Sequence, residues 1–396
     1  MTIIILIFLS IVIPILIMRP FSGSRKFLVL VIILSQLAAM CAWHWLLVHR
    51  TGLPIIFDVH KDEELYYRIT ERFASYPPFG VTISEAKKAT GESVFFGYQY
   101  ILAIFWTISS DPVLAMRIFK LLVFFAGLGC LARVWLRDFG ERAAFLGFIV
   151  LSVFCTTAFY YNFRNLKDGL LLSFFMIVMA ILDTIFQPAR DRVYSRTILG
   201  NTFLWGLALA MLLAITTIRF YLAAMVICAI VMHIVIRSDA GIKGRITGIV
   251  LLSIAMLWVF KSNVMTATLQ EGEQASQAKY GVYGLLQAFL SPIPWSGYIE
   301  KSVALFHCIY LLFLPYAIYA FFKHLRDNID WHLFLYVMTM YVAGVITSDP
   351  HRKRLIIYPI MLVWILRHLS SKWQQADETL NSEDDSQTNK ELVCQN

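Results

Sequence analysis

Between Gly169 and Phe186 the chain carries a single ionisable side chain, Asp183. A helix of that length and apolarity matches the hydrocarbon thickness of a bilayer. Comparable stretches recur at 3–19, 27–48, 113–136, 143–161, 169–187, 199–218, 220–237, 246–260, 302–322, 332–347 and 355–370. Hydrophobic residues make up 59% of the 396 and charged residues 15%, a balance that no soluble domain of this length shares. Backbone in contact with lipid must satisfy its own hydrogen bonds, so the spanning elements are helices. The expected fold class is an all-α polytopic membrane protein, a helical bundle of about eleven transmembrane helices. Residues 1–370 form a single transmembrane domain with long loops at 49–112 and 261–301. The polar, acidic stretch 371–396 reads as a disordered cytoplasmic tail.

The segment 94–110 is apolar but short, with Ser109-Ser110-Asp111-Pro112 closing it. Loop charges decide its role. If it does not cross, the basic positions Arg133/Arg137/Arg142, Arg190/Arg192/Arg196, Arg237/Lys243/Arg245 and Lys323/Arg326 all share the face of Arg19, Arg25 and Lys26. The positive-inside rule makes that face cytoplasmic. We therefore read 94–110 as an interfacial or re-entrant helix, with the N-terminus outside and the C-terminus in the cytoplasm. The first apolar run has no basic stretch before it and no small-residue cleavage site, so it reads as an uncleaved span. The net charge of +8 is explained by these loops, and nothing points to a nucleic-acid partner. The six cysteines lie in apolar runs or the tail and suggest no disulfide framework.

Two features stand out on the outer face. The first is Phe57-Asp58-Val59-His60-Lys61-Asp62-Glu63-Glu64-Leu65-Tyr66-Tyr67, a carboxylate cluster just beyond a span. Asp62, Asp58 and Glu63 suit a general base that meets an acceptor hydroxyl at the membrane surface. They equally suit the first turn of a surface helix, where acids favour the dipole. The second feature is a pair of basic turns on the unexpected side, Arg164 with Lys167 and Arg352-Lys353-Arg354, joined by Arg219. Guanidinium and ammonium groups so placed bind phosphate through charge-assisted hydrogen bonds, or anchor to lipid headgroups. Arg117 and Lys120 lie one turn apart, and sequence does not fix whether they face the interface or the interior. His44, His233 and His307 sit singly in apolar runs and read as packed or interhelical polar residues. Asp183 lies near a cytoplasmic end and reads as reaching water. Pro292-Ile293-Pro294-Trp295 forms a rigid aromatic turn that anchors at headgroup level or walls a sugar site. Zinc-protease, serine-hydrolase, P-loop and CxxC spacings are all missing.

The order of these elements resembles the GT-C superfamily of polytopic membrane glycosyltransferases. The likeness rests on Asp62-Glu63-Glu64-Leu65-Tyr66, on the aromatic segment Gly97-Tyr98-Gln99-Tyr100-Ile101-Leu102-Ala103, and on Leu114-Ala115-Met116-Arg117-Ile118. Within that group the chain is most similar to GT-C-like proteins of bacterial surface-polysaccharide clusters, through Leu166-Lys167-Asp168-Gly169-Leu170, the Pro292–Trp295 turn and Arg352-Lys353-Arg354. The resemblance implies an inner-membrane enzyme that moves a sugar from a polyprenyl-phosphate donor to a glycan or lipid-linked acceptor. Asp62, or else Asp58, would then be the base. Arg164, Lys167, Arg219, Arg352, Lys353 and Arg354 would hold the phosphate, with Tyr66 and Trp295 against the substrate. No cofactor is required, and a divalent cation is compatible with the chemistry. The alternatives are a repeat-unit polymerase of the same pathway and, from a different class, a transporter or flippase.

Overall fold

The structure, a computed structural model, describes residues 2–55, 61–77, 79–90, 96–155, 162–164, 166–186, 198–237, 250, 301–328, 330–345 and 354–394. Among these residues there is no strand. The helices are α1 (Thr2–Met18), α2 (Gly23–Thr51), α3 (Lys61–Glu71), α4 (Ile83–Thr90), α5 (Gly97–Ile108), α6 (Pro112–Phe139), α7 (Glu141–Ile149), α8 (Lys167–Phe186), α9 (Ile198–Ile218), α10 (Phe220–Arg237), α11 (Lys301–Lys323), α12 (Leu325–Asn328), α13 (Trp331–Val345) and α14 (Ile357–Cys394). Three of them, α2, α6 and α8, are long and apolar enough to cross a membrane. The remainder of α9, α10, α11 and α13 includes shorter apolar helical stretches.

The bundle is built around α6, which packs on α1, α2, α5, α7, α8 and α14. Its closest neighbour is α8. A Cβ added at Gly127 of α6 would stand 2.8 Å from the carbonyl oxygen of Ser173 on α8. The missing side chain lets the two backbones meet, as small residues do between membrane helices. In α2 the buried positions are Val29, Ile33, Gln36, Met40, His44 and Leu47, a stripe repeating every three or four residues. The opposite face exposes Phe27, Leu28, Val31, Leu34, Trp45 and Val48. A helix apolar on its outer face as well as its inner one is suited to face lipid.

Polar side chains inside the bundle satisfy backbone groups that helix geometry leaves over. After α7 the chain makes a π-helical turn, Val150–Phe154, closed by the Cys155 N–H on the Val150 carbonyl. The Ser152 carbonyl in that turn accepts from the buried Gln36 amide of α2 at 2.5 Å. At the start of α7, the Glu141 carboxylate accepts from the Ser22 backbone N–H at 2.8 Å and from its hydroxyl at 2.7 Å. This ties α7 to the beginning of α2.

α5 has 12 residues, about 18 Å at 1.5 Å per residue, and is too short to cross a hydrocarbon core of ~30 Å. α14 does not end with the apolar run. It continues as helix to Cys394, through the stretch that sequence composition assigns to a disordered tail. Its side chains from Gln374 to Thr379 are exposed, and Asp377 faces Arg142 at 3.8 Å across solvent.

Candidate functional site at the N-terminal end of α6

The first turns of α6 carry charge into the interior. Asp111 caps the helix, accepting from the Leu114 N–H at 3.0 Å, and Pro112 fills the first helical position where no donor is needed. One turn on, Arg117 and Lys120 share a face and are both fully buried. Their direction, open in the sequence, is inward.

Helix α3 brings one carboxylate of the acidic cluster, Glu63, onto Arg117. Glu63, Tyr66 and Thr70 are buried at i, i+3 and i+7, while Leu65, Arg68 and Glu71 face out. Glu63 is sealed from solvent and accepts from two guanidinium groups, Arg117 Nη2 at 3.3 Å and Arg164 Nε at 2.6 Å. Both its oxygens are thereby engaged, so Glu63 anchors two arginines rather than facing a substrate. Arg117 reaches the other way with Nη1, which lies 2.9 Å from His44 Nδ1. His44 Nε2 is 2.7 Å from Asp111 Oδ2. A single connected chain thus runs Asp111, His44, Arg117, Glu63, Arg164.

Lys120 extends the chain. Its ammonium donates to the Leu166 carbonyl at 3.2 Å and to the Arg164 carbonyl. Close by, at the start of α8, the buried Asp168 accepts from Arg219 Nη2 at 2.9 Å. Arg219 is the residue between α9 and α10. Lys167 places its ammonium 5.7 Å from the centre of the Tyr66 ring, a cation–π contact. Tyr66 in turn packs on Tyr98 of α5 at 5.1 Å between ring centres. Gly97 lets α5 close on α9, because any Cβ there would collide with Thr217 near the end of α9. Burial, reinforced by neighbouring Tyr66 and Glu63, pushes the Tyr98 phenol well above its ordinary value. Burial works to raise the Asp111 carboxyl, but the His44 and Leu114 hydrogen bonds and the Arg117 charge outweigh it and hold the group below its ordinary value.

Among the described residues, four buried cations, Arg117, Lys120, Arg164 and Arg219, therefore meet two buried carboxylates, Glu63 and Asp168, at one end of the bundle. Buried charge is costly unless it is paired and hydrogen-bonded. Guanidinium and ammonium groups gathered in this way are chemically suited to an anion with several acceptor oxygens.

The sequence-predicted residues divide as follows. Glu63, Tyr66, Arg164, Lys167 and Arg219 come together here. Asp62 lies in the first turn of α3, and Arg354 opens a 3-10 turn, Arg354–Ile356, ahead of α14. Asp58, Trp295, Arg352 and Lys353 lie outside the described residues. His44, Asp111, Tyr98 and Asp168 were not singled out as site residues. The usable signal for Asp168 was its place one residue after Lys167, at a helix start. Among the described residues no group of three or more His, Cys, Asp or Glu side chains is placed to hold a metal ion.

A second polar cluster occupies the opposite end of α6. Asp183, expected to reach water, is buried, accepting from the Trp331 indole at 3.1 Å and lying 2.9 Å from His332 Nε2. His332 Nδ1 is 3.1 Å from Asp330, which faces Arg367 of α14 at 3.7 Å. A cavity of about 440 Å³ opens beside them, lined by Arg137, Asp138, His324, Asp327, Asp330 and Arg367 among others. Its cations are already engaged: Arg137 on Asp138 at 2.5 Å, and Arg367 on the Asp327 carbonyl at 2.7 Å. This cluster braces α8, α13 and α14 together.

No protein-family model, curated protein or solved structure matches the chain.

Proposed function

We propose that the chain is a membrane glycosyltransferase that moves a sugar from a polyprenyl-phosphate carrier to a glycan or lipid-linked acceptor, in surface-polysaccharide synthesis. The observation that carries this reading is the convergence of Arg117, Lys120, Arg164 and Arg219 beneath the acidic helix α3. These cations would hold the carrier phosphate and stabilise the charge that grows on it as it leaves. Glu63 and Asp168 keep the guanidinium groups oriented for that task. An outer-loop carboxylate, Asp62 or Asp58, would remove the proton of the acceptor hydroxyl, and attack at the anomeric carbon would invert it. The order of motifs, which resembles GT-C-like proteins, supports the same reading. A topology of about eleven spans with the N-terminus outside, as the loop charges suggest, would put this end of α6 on the outer face of a bacterial inner membrane. Because the donor is lipid-linked, the chemistry needs no nucleotide site.

A repeat-unit polymerase would use the same phosphate cations and is the second reading. A transporter or flippase would carry ionisable residues along the membrane interior. In α6, by contrast, the segment from Leu121 to Ala132 between the two polar ends has no charged side chain.

The test compares surface glycan and lipid-linked intermediates by mass spectrometry in wild type, Asp62→Asn and Arg164→Gln hosts. A glycan lacking one sugar supports the transferase, and collapse to one repeat unit supports the polymerase. Unchanged profiles in both variants, with the proteins present at normal amounts, sink the enzyme reading.

A further inference from the structure

Asn162 stands two residues before Arg164, on the turn whose Arg164 side chain is bound to Glu63 and whose Arg164 carbonyl receives Lys120. It is fully buried. Neither its amide oxygen nor its amide nitrogen has a hydrogen-bond partner among the described residues. The buried Nε–H of Arg117, whose guanidinium shares Glu63 with Arg164, also has no acceptor among them, while Nη1 and Nη2 are engaged by His44 and Glu63. Buried polar groups are nearly always satisfied, and an exception calls for a reason.

The chemistry of the two groups is informative because it differs. An arginine Nε–H needs only an acceptor, which a phosphate oxygen provides. A carboxamide needs both a donor and an acceptor. A bare phosphodiester has acceptors only and would leave the Asn162 oxygen unsatisfied. A sugar hydroxyl both donates and accepts, and neighbouring hydroxyls present the two roles side by side.

We propose that Asn162 is a specificity-determining residue that hydrogen-bonds the hydroxyls of the sugar carried by the phosphate, so that the ligand of this site is a glycosyl phosphate and not a phosphate alone. The assignment rests on the phosphate-site reading above. It also implies a trade: the amide is kept for the ligand at the expense of the unliganded fold. Asn162→Leu, of similar size and with no polar atoms, removes two unsatisfied groups and leaves the free protein as stable or more so.

The experiment uses the full chain in detergent and follows its thermal unfolding midpoint. The probes are inorganic phosphate and the 1-phosphates of glucose, galactose, mannose and N-acetylglucosamine. The expected result is that at least one sugar phosphate raises the wild-type midpoint beyond the increment given by phosphate alone. In Asn162→Leu the ligand-free midpoint is unchanged or higher, the phosphate increment remains, and the sugar phosphate binds about tenfold more weakly. Asn162→Asp, similar in size but with acceptors only, also loses the sugar increment. A lower ligand-free midpoint in Asn162→Leu would show a structural amide and overturn the proposal. So would a sugar increment that survives both substitutions, or one missing from wild type while phosphate still stabilises. If phosphate itself has no effect on wild type, or an equal effect on Arg164→Gln, the phosphate reading fails, a result distinct from failure of Asn162 alone.

Discussion

Arg117 Nη1 lies 2.9 Å from His44 Nδ1, and a guanidinium can only donate. His44 Nδ1 is therefore the acceptor, and the ring proton sits on Nε2, where it is donated to Asp111. One contact thus fixes which ring nitrogen of a histidine buried between α2 and α6 accepts and which donates. Nitrogen NMR of the histidine-labelled protein should find the His44 Nδ1 as an acceptor and the proton toward Asp111 on Nε2. A His44 ring with its proton on Nδ1 and an acceptor Nε2 would break the chain from Asp111 to Arg164 at its second link.

Glu63 is the carboxylate that Arg117 and Arg164 share. Replacing it with Gln leaves two buried guanidinium groups without their counter-charge, a loss of about 3–5 kcal/mol for a broken buried pair. The thermal midpoint in detergent should drop sharply. Glu64→Gln, two-thirds exposed at its Arg68 partner, should change stability by less than about 1 kcal/mol. Equal effects for the two substitutions would deny Glu63 its anchoring role.

The depressed Asp111 carboxyl makes a signed prediction for pH. A group whose folded pKa lies below its unfolded value contributes stability that is present above the unfolded value and lost as pH falls through the folded one. The ordinary value is 3.8, so Asp111 should contribute fully at pH 5 and above. Below pH 3.8 wild type should lose that contribution. Asp111→Asn should start less stable and show a shallower acid-side decline between pH 5 and pH 3. Parallel acid limbs for the two proteins would contradict the assignment.

Gly127 sets the distance between α6 and α8. Its substitution by Ala puts a methyl group 2.8 Å from the Ser173 carbonyl, which is backbone and cannot swing aside. Overpacking of this kind costs about 1–3 kcal/mol, and Gly127→Val should cost more. Gly206, with open space around its Cβ position, is the control, and Gly206→Ala should leave the midpoint unchanged or raise it.

Orientation has its own test. Single cysteines at positions 165 and 350, in a chain stripped of its six native cysteines, should both react with a membrane-impermeant maleimide added to intact cells. Reaction of neither until the membrane is opened would place the Arg117 cluster in the cytoplasm and remove the lipid-linked donor from its reach.

The helical class and several members of the cluster were legible in the sequence, since apolar period and charge runs are local properties. Glu63, Arg164, Lys167 and Arg219 drew attention because charge at a span end is unusual. Their pairing was not legible. Glu63 meets Arg164 across 101 positions and His44 meets Arg117 across 73, and such contacts depend on how helices cross. Arg117 and Lys120 show the boundary clearly. Their spacing puts them on one face, but only the packing of α3 and α8 against that face turns it inward. Asp183 is the converse case. Closeness to a helix end suggested water, whereas Trp331 and His332 from a distant helix cover it.

The two polar ends of α6 are joined by an unbroken helix. From Arg117 to Arg137 the rise is about 30 Å at 1.5 Å per residue, the thickness of a typical hydrocarbon core. Both ends are pinned to several neighbouring helices, so neither can slide toward the headgroups independently. The protein thereby carries a fixed gauge of the bilayer it suits. In vesicles of shorter or longer acyl chains the mismatch falls on the lipid or on helix tilt, and stability should be greatest where membrane and gauge agree.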